Sequence, residues 1–594
     1  MTLLTDTQAN ITHARTYYHW LPAQHRTPFR NLRDALALHA KTSGSKPFLI
    51  SYDAANHRDE LTYVEFVARC HQIANLLFED LGVRRGDRVA VMAHNAPEVV
   101  LIYMACWIIG AAVVPQNISE DDARIGFILR NSEAKLLFVQ QPYADRARAI
   151  LQQTPTQIQG VIQIGGEPAA DVLLFEDIVR SRSTTFLGDE SGAKSGDLSI
   201  RSANEHTPQL DDEALIVYTS GTTGAPKGVV LSQYNLIADA QAIAQWHAIT
   251  GNQRLMCVLP LHHVNGIVVT LITPLLVGGS VVLNQKFSVH HFWERVAREK
   301  VQIVSVVPTL LQYLLDYAQS NTQQGETIFG HGINRLNLAM FRHFICGAGT
   351  LSVRLASDFE DVIGFPIVHG YGLSETTCYS CFLPVMQPWD EHQRWMRAHG
   401  YPSIGCPIEV NEMGIFSADG SGQRLGAGER GEICVRGHNV MLAYYQREDA
   451  NVEAFKFGWF RTGDEGFYLD GEDGRPYFFI TGRIKELINR GGVKFSPFEI
   501  EEVALRAPGV KLALAVAFEN DYYGEEVGLY VVPQEGIEPD AEAILQHCRA
   551  ALRFDKSPKV VVFGTEVPVT STGKYQRLKL RDLFAAYRGV QFRP

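Results

Sequence analysis

Short apolar runs alternate with helical stretches over the first two-thirds of the chain. Residues 88–92 form a short, partly β-branched run, and residues 96–109 after it have the composition of a buried helix. The same unit repeats as strand, helix and strand at 134–139, 145–152 and 161–164, and further apolar runs lie at 280–283, 303–307 and 344–346. Strands that alternate with helices favour parallel sheets with helices on both faces. The sequence therefore predicts an α/β protein with doubly wound sheets.

The pattern of strand and helix signals in the sequence changes twice toward its C-terminal end. From residue 405 short strands alternate with glycine-rich turns, and Asp470-Gly471 and Asp473-Gly474 are hairpin signals. From residue 485 the chain has helices and strands of its own. We therefore predict a large N-terminal domain over 1–484 with a small β subdomain at 405–484, and a small, mobile α+β domain over 485–594. Two polar stretches, 181–207 and 320–334, are predicted surface loops.

Composition and charge exclude several classes of protein. The 594 residues are 46% hydrophobic, which is enough to build a core, and the formal net charge is −11. An acidic balance argues against a nucleic-acid coat or a polybasic membrane binder, so any anionic ligand needs a local site. The most apolar stretch, 99–114, is shorter than the roughly 20 residues of a membrane span. We expect a buried helix that runs into a buried strand there, and no membrane span.

The nine cysteines are odd in number and scattered along the chain. This usage favours reduced thiols and a cytoplasmic location over a disulfide framework. Cys378 and Cys381 form one CxxC pair, which is compatible with redox chemistry, metal binding or simple packing. Because no second pair or histidine cluster follows, packing is the favoured interpretation.

Residues 214–232 read ALIVYTSGTTGAPKGVVLS, in which a buried strand runs into a loop of small and hydroxylated residues. Glycines let backbone N–H groups approach a polyphosphate, hydroxyls add donors and a lysine adds charge. The common NTPase loop has Gly before its Lys and Ser or Thr after it, whereas here Pro226 and Gly228 flank the lysine. The predicted phosphate-binding residues are Thr219, Ser220, Gly221, Thr222, Thr223, Gly224 and Lys227.

The run YTSGTTGAPKG resembles the signature loop of the adenylate-forming superfamily, which includes acyl-CoA synthetases, adenylation domains of nonribosomal peptide synthetases and beetle luciferases. Four further motifs follow in the order of that family: HGYGLSETT at 369–377, WFRTGD at 459–464, TGRIKELINRGG at 481–492 and PVTSTGK at 568–574. The chain is identified as a member of the superfamily on these five motifs. It departs from the usual pattern at Ser374, where Thr is common, and at Asn489, where many relatives have Lys.

The resemblance implies a reaction in two halves. A carboxylate attacks the α-phosphorus of ATP to give an acyl-adenylate and pyrophosphate, and a thiol then attacks the acyl carbon and releases AMP. The first half brings two anions together and therefore needs positive charge and a metal. By resemblance, Lys227 binds phosphate, Glu375 and Thr222 hold Mg²⁺, and Lys574 bridges the carboxylate and the α-phosphate.

Nucleoside recognition and a hinge are also implied by the resemblance. Tyr371 would stack on adenine, Asp464 would accept hydrogen bonds from the ribose, and Arg483 would contact ribose or phosphate. Lys485 marks the hinge about which the C-terminal domain would rotate between an adenylating and a thiol-transfer pose. The other face of the base would be lined by Gly347, Ala348 and Gly349.

The stretch LPLHHVNG at 259–266 indicates which class of acid the protein activates. Amino-acid-activating relatives place an Asp in this neighbourhood to pair the substrate ammonium, and His262, His263, Val264 and Asn265 include no carboxylate. We therefore expect an acid without an α-amino group. His263 resembles the ring that lies beside the carboxylate and gates the thiol tunnel. The expected pocket walls are the stretches 264–270, 344–347 and 370–381, which include Gly266, Gly370 and Gly372. Their residues are mostly apolar or small, which fits an aliphatic or aryl acid.

Four functions are compatible with the motifs. The first is an ATP-dependent ligase that transfers the acyl group to CoA, and the alternative is an acyl-AMP ligase that loads an acyl or peptidyl carrier protein. A luciferase-like oxygenase and a non-enzymatic relative are the other two, and the presence of all the catalytic positions argues against the last. We expect the partners to be a carboxylic acid, ATP and CoA, with a carrier protein as the acceptor in the alternative function and no nucleic acid, and we expect the chain to be a monomer or homodimer.

Overall fold

A computed structural model describes residues 2–16, 27–167, 173–186, 207–219, 225–569 and 575–593. Its first large sheet has nine strands within these ranges, and its six central strands are parallel. Both edges of the sheet are antiparallel. The strands in spatial order are Cys406–Pro407, Cys381–Phe382, Ile367–Tyr371, His343–Cys346, Ile303–Val306, Arg254–Cys257, Ser280–Asn284, Pro47–Tyr52 and Arg58–Thr62.

The second large sheet has eight strands in the described part of the chain. Six are parallel, and the two at one edge are antiparallel. In spatial order they are Ala443–Tyr444, Lys227–Ser232, Glu213–Thr219, Ala112–Pro115, Arg88–Met92, Leu136–Gln140, Gly160–Ile164 and Leu173–Leu174. The predicted α/β architecture with parallel sheets is confirmed, and antiparallel pairing is confined to their edges.

Helices connect the strands and cover the sheets. The α-helices are Thr2–Ala14, Leu32–Thr42, Tyr63–Asn75, Pro97–Ile109, Asp122–Asn131, Ala144–Gln153, Phe175–Val179, Gln233–Trp246, Thr273–Val277, Val289–Arg298, Pro308–Gln323, Val353–Ile363, Trp389–Arg397, Glu448–Ala454, Pro497–Ala504 and Ala541–Ala551. Leu76–Asp80 and Asn265–Ile272 are π-helical, and Gln141–Tyr143, Ser374–Thr376, Ile484–Glu486 and Arg577–Tyr587 are 3₁₀-helical. The prediction of a loop at 320–334 was wrong at its N-terminal end. The helix Pro308–Gln323 extends into this stretch, because its buried face continues to Asn321.

The helix Pro97–Ile109 lies between the two large sheets. Every side chain from Val99 to Ile109 is at most 3% exposed. Tyr103 donates a hydrogen bond to the carbonyl of Leu261 at 3.1 Å, beyond a strand of the first sheet, and Trp107 donates to Ala214 of the second sheet at 2.7 Å. The prediction of a buried helix that runs into a buried strand is confirmed. Among the residues that the structure describes, no helix is both long and apolar enough to cross a membrane.

Four antiparallel strands form the β subdomain: Asn411–Phe416, Gly431–Gly437, Phe460–Asp470 and Pro476–Arg483. The two predicted turn signals lie in the same connection, between the last two strands. The N–H of Gly471 donates to the carbonyl of Arg475 at 2.9 Å, and Gly474 has φ of +75°, a backbone conformation that favours glycine. The two signals therefore form one hairpin.

The C-terminal sheet is built from Val493–Phe495, Ile488–Arg490, Gly524–Pro533, Val510–Asn520 and Val560–Phe563. Two α-helices, Pro497–Ala504 and Ala541–Ala551, pack on it around a core that is separate from those of the large sheets. A small α+β C-terminal domain is thus present, while its exact boundary at 484/485 stays a prediction.

Polar contacts join the C-terminal domain to the helix Val353–Ile363. The N–H of Val353 donates to Glu502 Oε1 at 2.9 Å, and Arg354 donates to the carbonyls of Leu505 and Val510 at 2.6 and 3.0 Å. The C-terminal domain is therefore docked on the N-terminal domain in this structure.

The nine cysteines are all buried and free of disulfides. Cys378 and Cys381 are 5% and 0% exposed and belong to the large core. Burial raises the pKa of both thiols well above the usual range, which makes them poor nucleophiles. This is the environment expected of packing residues.

Candidate active site

A cavity of about 770 Å³ opens where the parallel strands of both large sheets end. Val307, Ala348 and Gly372 follow three neighbouring strands of the first sheet, and Thr219 ends a strand of the second. Residues of the β subdomain and of the C-terminal domain complete the walls. Ligands of open α/β sheets bind at the carboxyl ends of strands, so the position of this cavity is that of a binding site.

Most predicted site residues meet at this cavity. Its lining includes Thr219, Lys227, His262, His263, Val264, Asn265, Ala348, Gly372, Glu375, Asp464, Arg483 and Lys485. Five others lie in adjoining segments but do not line it: Gly266, Gly347, Gly349, Gly370 and Tyr371. Ser220, Gly221, Thr222, Thr223, Gly224 and Lys574 lie outside the described residues.

Lys227 and Glu375 lie at one end of the cavity and are joined through Tyr444. The Lys227 ammonium is 4.6 Å from the centre of the Tyr444 ring, and the Tyr444 hydroxyl donates to Glu375 Oε1 at 2.9 Å. Burial lowers the pKa of Lys227, Glu375 opposes that shift, and Lys485 adds to it. Two lysines and one carboxylate therefore face the same end, which we call the phosphate end.

The segment that carries Glu375 is held in a strained conformation. Thr377 has φ of +64°, a region that β-branched residues rarely adopt. Its hydroxyl donates to the carbonyl of Asn439 at 2.6 Å. The Asn439 amide donates to the carbonyl of Tyr379 at 2.9 Å and to Asp239 at 3.2 Å, and the Tyr379 N–H donates to Asp239 at 3.3 Å. Buried Asp239 and Asn439 thus hold residues 375–379 in place.

Tyr371, Asp464 and Arg483 form a second cluster. Asp464 and Arg483 are partners on adjacent strands of the β subdomain, with Nε and Oδ1 3.6 Å apart. The Asp464 carboxylate raises the pKa of Arg483. The buried hydroxyl of Tyr371 donates to Asp464 Oδ2 at 2.6 Å. Because Tyr371 does not line the cavity, its stacking on adenine stays a prediction.

His262, His263 and Asn265 form a separate part of the cavity lining, which we call the acid end. The two imidazole rings are 4.4 Å apart, and burial lowers the pKa of His262 to about 4. Asn265 donates to the hydroxyl of Tyr379 at 3.2 Å. The walls were expected to be apolar or small, and Val264 and Val307 fit that expectation. Asn265 and Tyr379 make this end more polar than expected.

The chain that follows Lys574 enters the same cavity, since Tyr575, Gln576, Arg577, Leu578 and Lys579 line it. Arg577 anchors this segment within the C-terminal domain, because its guanidinium donates to Glu501 Oε1 at 2.7 Å and to the carbonyl of Ala515 at 2.9 Å. Burial raises the pKa of Glu501 to about 7, and Arg577 opposes that shift.

Several residues of the site were missed by sequence reasoning. Tyr444 is 69 residues from Glu375, and Asn439 is 200 residues from Asp239. No local spacing reveals such pairs. Tyr379 lies within the stretch 370–381 that was expected to line the pocket, so its hydroxyl could have been considered as a polar group of the pocket wall.

Comparison with known proteins agrees with this geometry. Residues 36–445 match the family described as AMP-binding enzyme, and residues 499–574 match the AMP-binding enzyme C-terminal domain. Sulfoacetate–CoA ligase of Cupriavidus necator is 32% identical over 93% of this chain and 97% of its own length. Oxalate–CoA ligase of Arabidopsis thaliana is 31% identical over 86% of this chain and 91% of its own length.

A solved structure shows the same fold. The o-succinylbenzoate CoA synthetase of Bacillus subtilis, in complex with its acyl-adenylate intermediate, is 26% identical, with a TM-score of 0.74 over 94% of this chain and 99% of that one. The first family match alone covers more than half of the chain. The chain therefore belongs to the AMP-binding enzyme family, within the adenylate-forming superfamily, and is an enzyme of the acyl-CoA synthetase class.

Proposed function

We propose that this cavity activates a carboxylic acid without an α-amino group and passes the acyl group to CoA. A carboxylate oxygen attacks the α-phosphorus of ATP, the bond to the β-phosphate oxygen breaks, and pyrophosphate leaves. The CoA sulfur then attacks the acyl carbon, and AMP leaves with the electron pair of the broken acyl–oxygen bond. The observation that carries this proposal is the meeting of Lys227, Glu375, Asp464 and Arg483 with the chain that follows Lys574 at one cavity.

Positive charge at the phosphate end serves the first half-reaction. Lys227 and Lys485 face the end where a triphosphate would lie, and the partial burial of Lys227 strengthens its electrostatic effect. Residues 219–224 would add backbone and hydroxyl donors, and Lys574 would neutralise charge between the carboxylate and the α-phosphate. A flexible ammonium suits a target that moves during the reaction.

A divalent cation fits the phosphate end. In the described part of the chain no three His, Cys, Asp or Glu side chains cluster in a way that could hold a metal alone. Mg²⁺ is commonly bound by one or two carboxylates together with substrate phosphates, and Glu375 supplies a carboxylate that Tyr444 orients. Glu375, with the hydroxyl of Thr222, would hold the ion, which would supply charge neutralisation when bound.

Asp464 would bind the ribose. Its carboxylate is fixed by the Tyr371 hydroxyl and faces Arg483, and both Asp464 and Arg483 line the cavity. A carboxylate accepts hydrogen bonds from two vicinal hydroxyls without reorganisation. The Arg483 guanidinium would contact the ribose or the α-phosphate.

The acid end supports an acid without an ammonium group. His262, His263, Val264 and Asn265 offer no carboxylate, and His262 is neutral at pH 7 because burial lowers its pKa to about 4. His263 would lie beside the reacting carboxylate. CoA is the proposed acceptor because the two curated relatives above are named as CoA ligases.

The test is pyrophosphate release over a panel of fatty, aryl, hydroxylated, dicarboxylic and α-amino acids, with and without CoA, followed by mass analysis of the products. We expect release with a simple acid and an acyl-CoA product. Strong release with an α-amino acid would contradict the substrate class. Release without acyl-CoA formation would move the acceptor to a carrier protein.

A further inference from the structure

Three buried polar side chains form a hydrogen-bonded network at the acid end of the cavity, and two of them, Asn265 and Tyr379, line it. Ser305 Oγ donates to Asn265 Oδ1 at 2.7 Å, and Asn265 Nδ2 donates to the Tyr379 hydroxyl at 3.2 Å. Ser305, Tyr379 and Asn265 are 1%, 2% and 8% exposed. Burial of an amide and two hydroxyls is unfavourable unless they are hydrogen-bonded, so a wall built only to hold hydrocarbon would not need them.

The Asn265 amide has capacity left for a ligand. Its nitrogen carries two N–H groups, and one donates to Tyr379. The second has no acceptor among the residues that the structure describes, and Asn265 and Tyr379 both line the cavity. Buried donors are nearly always satisfied in native proteins, which points to a ligand oxygen as the missing acceptor.

Tyr379 also limits the depth of the acid end. Its ring packs against Phe382 with centroids 4.3 Å apart. A Cβ atom at Gly347 would lie 2.6 Å from the Tyr379 hydroxyl, and one at Gly370 would lie 2.3 Å from the Phe382 ring. The tyrosine thus lies directly on the backbone of Gly347, and packed side chains fill the space behind it. An acyl chain that reaches Tyr379 has to end there.

We propose that the acid is short and carries, at its far end, an oxygen that accepts hydrogen bonds from Asn265 and Tyr379. This inference rests on the proposed function and narrows its substrate from any simple acid to one with two polar ends. Lys227, Lys485 and Arg483 lie among the proposed nucleotide-binding residues. The oxygen at the far end of the acid therefore meets only the neutral donors Asn265 and Tyr379. A hydroxyl needs no charge compensation there, whereas a second carboxylate would be bound together with a proton.

The experiment compares three-carbon acids that differ only at the far end. We measure kcat/KM for pyrophosphate release with propanoate, 3-hydroxypropanoate and propanedioate, together with octanoate. The expected result is that at least one of the two acids with a far oxygen exceeds propanoate by about tenfold, the size of one net hydrogen bond, and that octanoate is the poorest. The propanedioate rate is also measured as a function of pH. If the far carboxylate binds together with a proton, this rate should fall as the pH rises, relative to the rate with 3-hydroxypropanoate.

Tyr379→Phe then removes the hydroxyl and keeps the ring. The kcat/KM ratio of the preferred acid to propanoate should fall about tenfold. The control is Tyr530→Phe, which removes a buried hydroxyl that donates to the Glu566 carbonyl in the C-terminal domain, and it should leave the ratio unchanged.

Preference for propanoate or octanoate, or an unchanged ratio in Tyr379→Phe, would overturn this inference and leave the proposed function standing. Absence of pyrophosphate release with every acid would overturn the proposed function and this inference with it.

Discussion

At the scale of single residues, Tyr444 couples the two charges of the phosphate end. Its ring contacts the Lys227 ammonium, and its hydroxyl donates to Glu375. A hydrogen bond to a charged group contributes about 1.5–3 kcal/mol, and here it orients the carboxylate that we assign to Mg²⁺. The ring alone would leave Glu375 free to rotate away from the cation.

Tyr444→Phe should therefore raise the Mg²⁺ concentration needed for half-maximal activity and lower kcat/KM by about tenfold to a hundredfold, as loss of that hydrogen bond predicts. Magnesium titrations of pyrophosphate release measure both effects. Tyr445→Phe is the matched control, because the neighbouring hydroxyl donates to Glu133 at 2.7 Å and not to a site residue. Equal effects of the two substitutions would count against the assignment of Glu375.

Residues within the five motifs could be predicted, since their type and order along the chain carry the resemblance. Their partners could not. Tyr444, Asn439 and Asp239 act through contacts that join distant parts of the chain. The acid end was predicted as apolar because its segments are apolar on average. Which side chain faces the cavity depends on the fold, and Asn265 and Tyr379 do so.

At the scale of elements, the turn between the strand Ile367–Tyr371 and Cys381 is held by side chains from other elements. The Asn439 side-chain amide donates to the Tyr379 carbonyl and to Asp239, its backbone carbonyl accepts the Thr377 hydroxyl, and Thr377 is strained. Strained backbone persists only where its surroundings impose it. Without the Asn439 amide, the turn would lose its hydrogen bonds at Tyr379 and Asp239, relax and displace Glu375.

Asn439→Ala should lower stability by about 2–4 kcal/mol, because buried partners lose their hydrogen bonds, and should also raise the Mg²⁺ requirement. Thermal unfolding and magnesium titration test the two effects. For comparison, Asn411→Ala removes a buried amide that has no side-chain hydrogen-bond partner among the described residues. The hypothesis fails if Asn439→Ala changes stability alone and leaves the Mg²⁺ requirement at its original value.

Elements were predicted best where an apolar run is short and fully buried. The run at 88–92 coincides with the strand Arg88–Met92, and 161–164 lies within Gly160–Ile164. Polar composition was a weaker guide, because Pro308–Gln323 buries Asn321 on its inner face and continues into the predicted loop. Edge strands such as Cys406–Pro407 are too short to leave a pattern.

At the scale of the whole molecule, the C-terminal domain contributes the segment 575–579 to the lining of the cavity. The five residues after Lys574 line it, and the buried pair of Arg577 and Glu501 fixes the start of that segment. The adenylating pose that the resemblance implies would have this arrangement. Thiol transfer would then require the domain to turn at Lys485.

Lys574→Ala should reduce acyl-adenylate formation by about 10²–10⁴, the scale of a lost transition-state charge contact. Conversion of synthetic acyl-adenylate to the thioester should be spared. The control Lys579→Ala removes an exposed lysine of the same segment, and its effect should be less than tenfold. Equal loss in both half-reactions would contradict the two-pose assignment.

Docking of the C-terminal domain should depend on pH through Glu502. Its carboxylate accepts the Val353 N–H, and burial raises its pKa from 4.5 to about 7. Between these two values the folded protein holds a proton that the unfolded chain has lost, so stability falls as the pH rises.

In Glu502→Gln this contribution is absent. The Tm of the variant minus the Tm of the wild type should therefore increase steadily as the pH rises from 4.5 to 7. Calorimetry at several pH values measures it. A Tm difference that stays constant, or shrinks as the pH rises, would show that Glu502 is not the group responsible.

The helix Pro97–Ile109 has a consequence for recombination among related enzymes. Its side chains are buried between two sheets. Tyr103 bonds to the segment that follows a strand of the first sheet, and Trp107 bonds to a strand of the second. Suppose that a chimaera takes this helix and one sheet from one parent and the other sheet from a second parent. The fully buried contacts between the helix and the second sheet would then have to be repacked. Crossovers should be tolerated only where the helix and both sheets come from a single parent. The C-terminal sheet, which has its own core, is the part of the chain that can be exchanged as a module.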